Sequence, residues 1–267
     1  MNMDQFLLSL KTSGFCIIED VIPPDNLASV ISSIKASVAK ESANYATGLK
    51  GISFIPSLIV HDQSFAPYLA DERILKLAEI LFGDHVRISF TSAIVNQPGN
   101  DRGLWHADWP FNQKNAGHIP APYPDALMHL TTLWMLTPFT AENGGTLVLP
   151  GSHHHPTNPT AKDGVDPKTR FPSEVNAEGP AGSVLVFDSR LWHCTSPNRS
   201  QQARYALAVR YAPWWLNLEV LRPESDERKR MVDEPGGHEN RVPSIPQKVF
   251  EELPDRIKPL YRHWVAR

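Results

Sequence analysis

Residues 182–193 read Gly-Ser-Val-Leu-Val-Phe-Asp-Ser-Arg-Leu-Trp-His. A glycine opens the stretch, four apolar residues follow, and Asp188-Ser189 turn the chain and present His193. A short apolar run bounded by turn formers reads as a buried strand. Similar runs lie on both sides: RYALAVRYA at 204–212 downstream, and GTLVLP at 145–150, LMHLTTLWMLT at 127–137 and VRISFTSAIVNQ at 86–97 upstream. The loops between them vary in length, and helical patterns fall mainly before and after. Such an order points to a mainly β protein, a sandwich or barrel faced by helices.

Before this region, residues 3–11 read as a short helix and Phe15 to Glu19 as a short strand. Asp25 is a good N-cap for a helix to about Glu41, with Leu27, Val30, Ile31, Ile34 and Val38 on one stripe. Residues 42–62 look like a loop. Asp71 caps a helix over 72–82 that stops at Gly83. Further helices are expected near 224–231, 246–253 and 255–265. The stretch 154–176 is long and polar, and loops of that length are usually functional or mobile. No linker divides the chain, so 1–267 is expected to be one domain with its core at about 86–212.

Bulk properties exclude several classes. The 267 residues are 41% hydrophobic, enough for a sizeable core. A net charge of −3 with mixed signs gives no electrostatic footprint for nucleic acid or an anionic membrane. Two cysteines, Cys16 and Cys194, cannot form a disulfide framework, so a reducing, cytoplasmic setting is the default. The N-terminus lacks a basic start and a long apolar run, and no segment reaches the length of a membrane span. The 24 prolines suit short strands with shaped loops.

The chemistry starts at Leu104-Trp105-His106-Ala107-Asp108-Trp109. On an extended segment, residues two apart face the same side, so His106 and Asp108 can meet one cation. His193, from a distant strand, would complete two histidines and a carboxylate. That donor set with an open face suits non-haem Fe(II) oxygenases. A His-x-Asp pair alone is no more than chance provides in a chain with 11 histidines. Two further elements add weight. Arg204 opens the run after His193, and a hairpin would bring its planar fork, suited to carboxylates, beside the metal. Glu142-Asn143-Gly144-Gly145-Thr146-Leu147-Val148-Leu149-Pro150-Gly151-Ser152-His153 reads as a turn, a short strand and a sharp turn.

Together these elements resemble the phytanoyl-CoA dioxygenase family across about residues 86–212. The resemblance implies a double-stranded β-helix (jelly roll, cupin-like) with helices on one sheet. It also implies an Fe(II)- and 2-oxoglutarate-dependent dioxygenase that uses O2 to hydroxylate an unactivated C–H and releases succinate and CO2. By position, His106, Asp108 and His193 would bind iron and Arg204 the distal carboxylate of 2-oxoglutarate. Trp134 falls where the family often places an aromatic against the co-substrate, and Thr195 where a hydroxyl helps hold it. Thr91 and Thr132 are further candidates. Related halogenases replace the carboxylate with a small residue, so Asp108 favours hydroxylation.

Other residues have competing readings. Trp109, Phe111 and Trp192 flank the ligands and could line the substrate pocket or belong to the core. Arg190 could bind an acidic substrate or be solvated. His153 belongs to the Pro-Gly-Ser-His turn, structural or at the pocket rim. Cys194 reads as a buried structural thiol, and Trp214-Trp215 as core packing or an end cap for the barrel. The alternatives to an oxygenase are a catalytically silent cupin-like binding protein and a zinc-dependent hydrolase. A small-molecule substrate is expected, with a leaning to a polar or carboxylated metabolite. A coenzyme A thioester would call for a basic rim, and no basic cluster is obvious. Specificity should reside in the loops 42–62, 110–126 and 154–178. Oligomeric state is open.

Overall fold

In the computed structural model, residues 2–41, 50–109, 125–161, 164–237 and 239–266 are described. Two antiparallel sheets face each other, with the helices outside the larger one. The chain begins with α1 (Met3–Ser13) and β1 (Phe15–Ile18). Asn2 caps α1 in a reciprocal capping box with Gln5, and Gly14 ends it in the left-handed region. Next comes α2 (Pro24–Glu41). Proline occupies its first position, so Asp25 sits in the first turn instead of capping, where its charge still favours the helix dipole.

The expected loop over 42–62 contains an element that its sequence understates. Within it lie β2 (Ile52–Pro56) and a single turn, α3 (Leu58–His61). β2 adds an edge strand through antiparallel pairing of Ile52 with Asn96 and Pro56 with Ser92. Then α4 (Glu72–Phe82) follows, and Asp71 does cap it, accepting from the Arg73 and Ile74 amides.

The large sheet has six strands in the order β1-β7-β4-β9-β3-β2. It uses β3 (Arg87–Asn96), β4 (Leu130–Met135), β7 (Val184–Asp188) and β9 (Arg204–Ala212). The small sheet is β6-β5-β8, made of β5 (Thr146–Val148), β6 (Val175–Ala177) and β8 (His193–Thr195). β8 and β9 therefore lie in different sheets, and the expected hairpin between His193 and Arg204 does not form. The chain instead crosses from one layer to the other.

Strands of the large sheet are covered on both faces, which is why β4 reads Leu-Thr-Thr-Leu-Trp-Met without clean alternation. Leu133, Met135, Leu185, Phe187, Ala206 and Ala208 fill the space between the sheets. Trp134, Val184, Leu207, Val209 and Tyr211 pack outward with α1, α2 and α4. The tail adds α5 (Asp226–Arg228), continued by a π turn over Lys229–Asp233, then α6 (Gln247–Glu252) and α7 (Lys258–Tyr261). Trp264 is buried and donates its indole N–H to the Ile88 carbonyl. Trp214 and Trp215 are about half exposed (54% and 49%), so neither is core. No helix among the described residues is long and apolar enough to cross a membrane.

Candidate metal centre

His106 and His193 are placed side by side by one isolated antiparallel bridge. The His106 amide donates to the His193 carbonyl at 3.1 Å, and the His193 amide to the His106 carbonyl at 3.0 Å. A step further along, the Asp108 amide donates to the Ser189 carbonyl at 2.7 Å. The segment bearing His106 and Asp108 thereby joins the edge of the small sheet beside β8. Gly103 permits the approach, because a Cβ there would meet the Thr195 backbone N at 2.9 Å.

Ligand atoms of His106, Asp108 and His193 all lie within 4.8 Å of one another, a group of the kind that could hold a metal ion. Nδ1 of His106 lies 2.9 Å from the Leu104 carbonyl, and Nδ1 of His193 lies 2.9 Å from the Leu191 carbonyl. A carbonyl can only accept, so each Nδ1 carries a proton and Nε2 is the nitrogen turned to offer a metal its lone pair. The Nε2 atoms face Asp108, at 3.9 Å for His106 and 3.7 Å for His193. Burial first, then the neighbouring His106, pushes the His193 pKa down to about 4, so its ring is neutral at pH 7. For Asp108, burial alone would raise the carboxyl. Arg210 above all, then His193, His106 and the Thr131 hydroxyl outweigh it and hold the group well below the usual carboxylate range. Two imidazoles and one carboxylate fit a divalent cation.

These three residues line a cavity of about 470 Å³ between the sheets. Arg204, Thr195 and Thr146 line it as well. Arg204 is buried, its Nε and Nη2 donate to the Gly144 carbonyl at 3.0 and 2.9 Å, and its guanidinium stacks on Phe139 at 4.5 Å. That explains the Asn-Gly-Gly turn. Gly144 sits at φ +80°, and a Cβ would press on Ser196 and Asn198 at 3.0–3.2 Å, so only glycine turns its carbonyl to the arginine without strain. Among the described residues no carboxylate pairs with Arg204, and burial pulls its pKa down to about 9, still protonated at pH 7. A buried cation in a cavity without a counter-ion fits a ligand carboxylate.

Other expected site residues lie elsewhere. Thr132 and Trp134 alternate on β4 with the inward Thr131, Leu133 and Met135, and therefore face the helices. The Thr132 hydroxyl donates to Val209 O and receives the Trp134 indole N–H. Thr91 also faces outward, in a small crevice with Tyr261 and Trp264. Trp109 is buried in the outer core, and Trp192 packs with Trp105 and Cys194. The Arg190 guanidinium folds back on Asp188 at 2.7 Å, and both are buried. His153 is buried against α1, within 3.2 Å of the Lys11 carbonyl, so its role is in the turn. Phe111 lies outside the described residues. Cys16 and Cys194 are buried, and burial pushes both thiols up to about 12.

The sequence reading missed Arg210, which pairs with Asp108 at 2.6 Å, and Thr131, which donates to the other Asp108 oxygen at 2.8 Å. Arg210 shares the parity of Arg204 on β9, which was the available signal. Behind them His129 is buried, with Nδ1 2.8 Å from Ser189 Oγ and Nε2 2.7 Å from Ser89 Oγ. Burial first, then the Arg210 charge, pushes its pKa down to about 3. Folding thus keeps His129 neutral, while the unfolded chain takes a proton below about pH 6.5. Its contribution is present above pH 6.5 and is lost as pH falls from there toward 3, by up to about 1.4 kcal/mol per pH unit. Denaturant melts of metal-free protein at pH 7, 6, 5 and 4 should show a slope to which His193 and His263 add in the same sense, and His129→Gln should make it shallower. An unchanged slope in that variant would assign the acid sensitivity to other groups.

The sequence profile of the phytanoyl-CoA dioxygenase family matches residues 10–206. Dioxygenase af480 of Aspergillus fumigatus is 28% identical over 221 residues, 79% of this chain and 67% of that protein. HygX from Streptomyces hygroscopicus, solved with nickel, 2-oxoglutarate and hygromycin B, superposes with a TM-score of 0.60 at 18% identity, covering 80% of this chain and 88% of its own. The epimerase SnoN, solved with Fe3+, alpha ketoglutarate and nogalamycin RO, gives a TM-score of 0.60 at 18% identity, covering 79% and 83%. Both structures share the fold of two facing antiparallel sheets. With the family matched over most of its length, the chain belongs to the phytanoyl-CoA dioxygenase family and is a non-haem iron- and 2-oxoglutarate-dependent oxygenase.

Proposed function

We propose that this oxygenase hydroxylates an unactivated C–H of a small molecule, with iron on His106, Asp108 and His193 and 2-oxoglutarate anchored by Arg204. The observation that carries the reading is the joint presence, in one cavity, of the His-Asp-His cluster and a buried arginine that has no counter-ion among the described residues. Iron, when bound, supplies the activation of O2 that organic side chains cannot. The reaction balances as substrate, O2 and 2-oxoglutarate going to hydroxylated substrate, succinate and CO2. One oxygen atom enters the product and the other enters succinate.

The chain's own residues bind, orient and exclude water. The two Nδ1–carbonyl contacts set the tautomers of His106 and His193. Gly144 and Phe139 hold the Arg204 fork at the bottom of the cavity, with Thr195 and Thr146 beside it. Ile52, Phe54, Ile94, Leu104 and Leu133 supply apolar walls. Those walls favour an apolar portion of substrate near the metal over the polar metabolite that the sequence suggested.

The test is succinate release by protein reconstituted with Fe(II) and 2-oxoglutarate, across a panel of metabolite classes under isotope-labelled O2. The expected result is a background of succinate that one class stimulates, with label in the hydroxylated product. Tight 2-oxoglutarate binding with no succinate under any condition would instead identify a silent binding protein.

A further inference from the structure

We propose that Arg210 is a positioning residue for the metal centre: with Thr131 it fixes the plane of the Asp108 carboxylate against the two histidines. This rests on the reading of Asp108 as a metal ligand.

Asp108 is gripped at both oxygens from one direction. Arg210 Nη2 donates to Oδ1 at 2.6 Å and Thr131 Oγ1 to Oδ2 at 2.8 Å. Thr131 on β4 and Arg210 on β9 are direct cross-strand partners, so their side chains stand side by side on the inner face. A carboxylate held at two oxygens by two neighbouring strands cannot turn about its Cβ–Cγ bond.

The grip is backed by a run of short polar contacts. Thr131 Oγ1 lies 2.7 Å from Ser189 Oγ, which lies 2.8 Å from His129 Nδ1. His129 Nε2 lies 2.7 Å from Ser89 Oγ, and that hydroxyl reaches the Arg210 carbonyl at 3.3 Å. Ser189 closes a second link by accepting the Asp108 amide through its carbonyl. The Arg210 guanidinium rests on the Phe90 ring at 4.8 Å, which limits the side chain's motion. Short contacts among buried groups on neighbouring strands restrict their motion, although the Arg210 Nε itself has no hydrogen-bond partner.

The sign of the effect separates positioning from plain electrostatics. A guanidinium repels a divalent cation, so on charge alone Arg210→Met should tighten metal binding. Positioning predicts the opposite, because Asp108 then samples orientations that miss the metal. Partners of metal-ligating groups typically contribute 10–100-fold to affinity.

The experiment is anaerobic titration of the full chain with Co(II), reading both affinity and the Co(II) absorption spectrum. Arg210→Met should weaken Co(II) binding by about 10–100-fold and alter the spectrum of the bound fraction. Arg210→Lys, which keeps a charged donor, should recover part of the affinity, and Thr131→Val should move both readouts in the same direction as Arg210→Met. Should Arg210→Met fail to fold, the lysine and valine variants carry the test. Equal or tighter binding with the wild-type spectrum overturns the proposal, even where the melting temperature falls. Equal Co(II) binding by wild type and Asp108→Asn would instead overturn the ligand assignment itself.

Discussion

Arg204→Ala is expected to raise the KM for 2-oxoglutarate by roughly 30- to 3,000-fold while the metal site still loads. Truncating one side of a buried charge pair costs about 2–5 kcal/mol, because the remaining charge is left desolvated and alone. Here the remaining charge would be the distal carboxylate of the co-substrate, facing Phe139, Thr146 and the Gly144 carbonyl. None of these replaces a cation, and a carbonyl aimed at a carboxylate repels it. Arg204→Lys should fall between, since an ammonium keeps the charge and loses the fork that also clasps Gly144 O. The readouts are 2-oxoglutarate binding by titration and succinate kinetics over a wide co-substrate range. An unchanged KM in Arg204→Ala would place the co-substrate elsewhere.

His193→Ala should abolish the chemistry by a different route. It would remove one of the three proposed ligands and empty a buried position against Phe187, whose ring lies 4.7 Å from the imidazole. Loss of a direct ligand should exceed the 10–100-fold typical of outer partners, so succinate formation is expected to fall by at least about 1,000-fold. Iron content after anaerobic reconstitution and dialysis should fall with it. His153→Ala is the matched control, because that ring is turned to the Lys11 carbonyl and not to the cavity. Retention of more than a tenth of the activity in His193→Ala would refute the assigned triad.

The parts of this protein that were legible from sequence share a physical cause. Gly182 to His193 carries a glycine, an apolar run and a turn in the order a strand requires, and each feature acts locally. Asp71 could be read as a cap because a cap involves only the next few residues. His106, Asp108 and His193 could be brought together because an extended His-x-Asp segment offers both ligands to one side. What was not legible depended on parity in strands buried on both faces. In β4 nothing in Leu-Thr-Thr-Leu-Trp-Met marks which residues look inward, and a one-residue shift exchanges Leu133 for Trp134. Trp134 was expected at the co-substrate from its place in the family resemblance, with Thr132 and Thr91 as further candidates, and all three face the helices. Parity was readable on β9, where the inward Arg204, Ala206, Ala208 and Arg210 alternate with the outward Tyr205, Leu207, Val209 and Tyr211. Arg204, Ala208 and Arg210 all line the cavity.

The crossing between β8 and β9 was hidden for another reason. Sequence spacing of His193 and Arg204 is equally compatible with a hairpin and with a change of layer. The choice is made by pairing: β8 hydrogen-bonds β5, and β9 is held between β4 and β3. The change of layer puts His193 on the small sheet and Arg204 on the large one, and both line the cavity between them.

The lone bridge between His106 and His193 has an evolutionary consequence. Two reciprocal amide bonds set the alignment of both imidazoles, and neither depends on the identity of a side chain. Lengthening or rewriting loops outside the bridge is expected to leave that backbone pairing intact. Descendants of such a scaffold can therefore exchange the contours that choose a substrate while inheriting an unaltered oxidising seat.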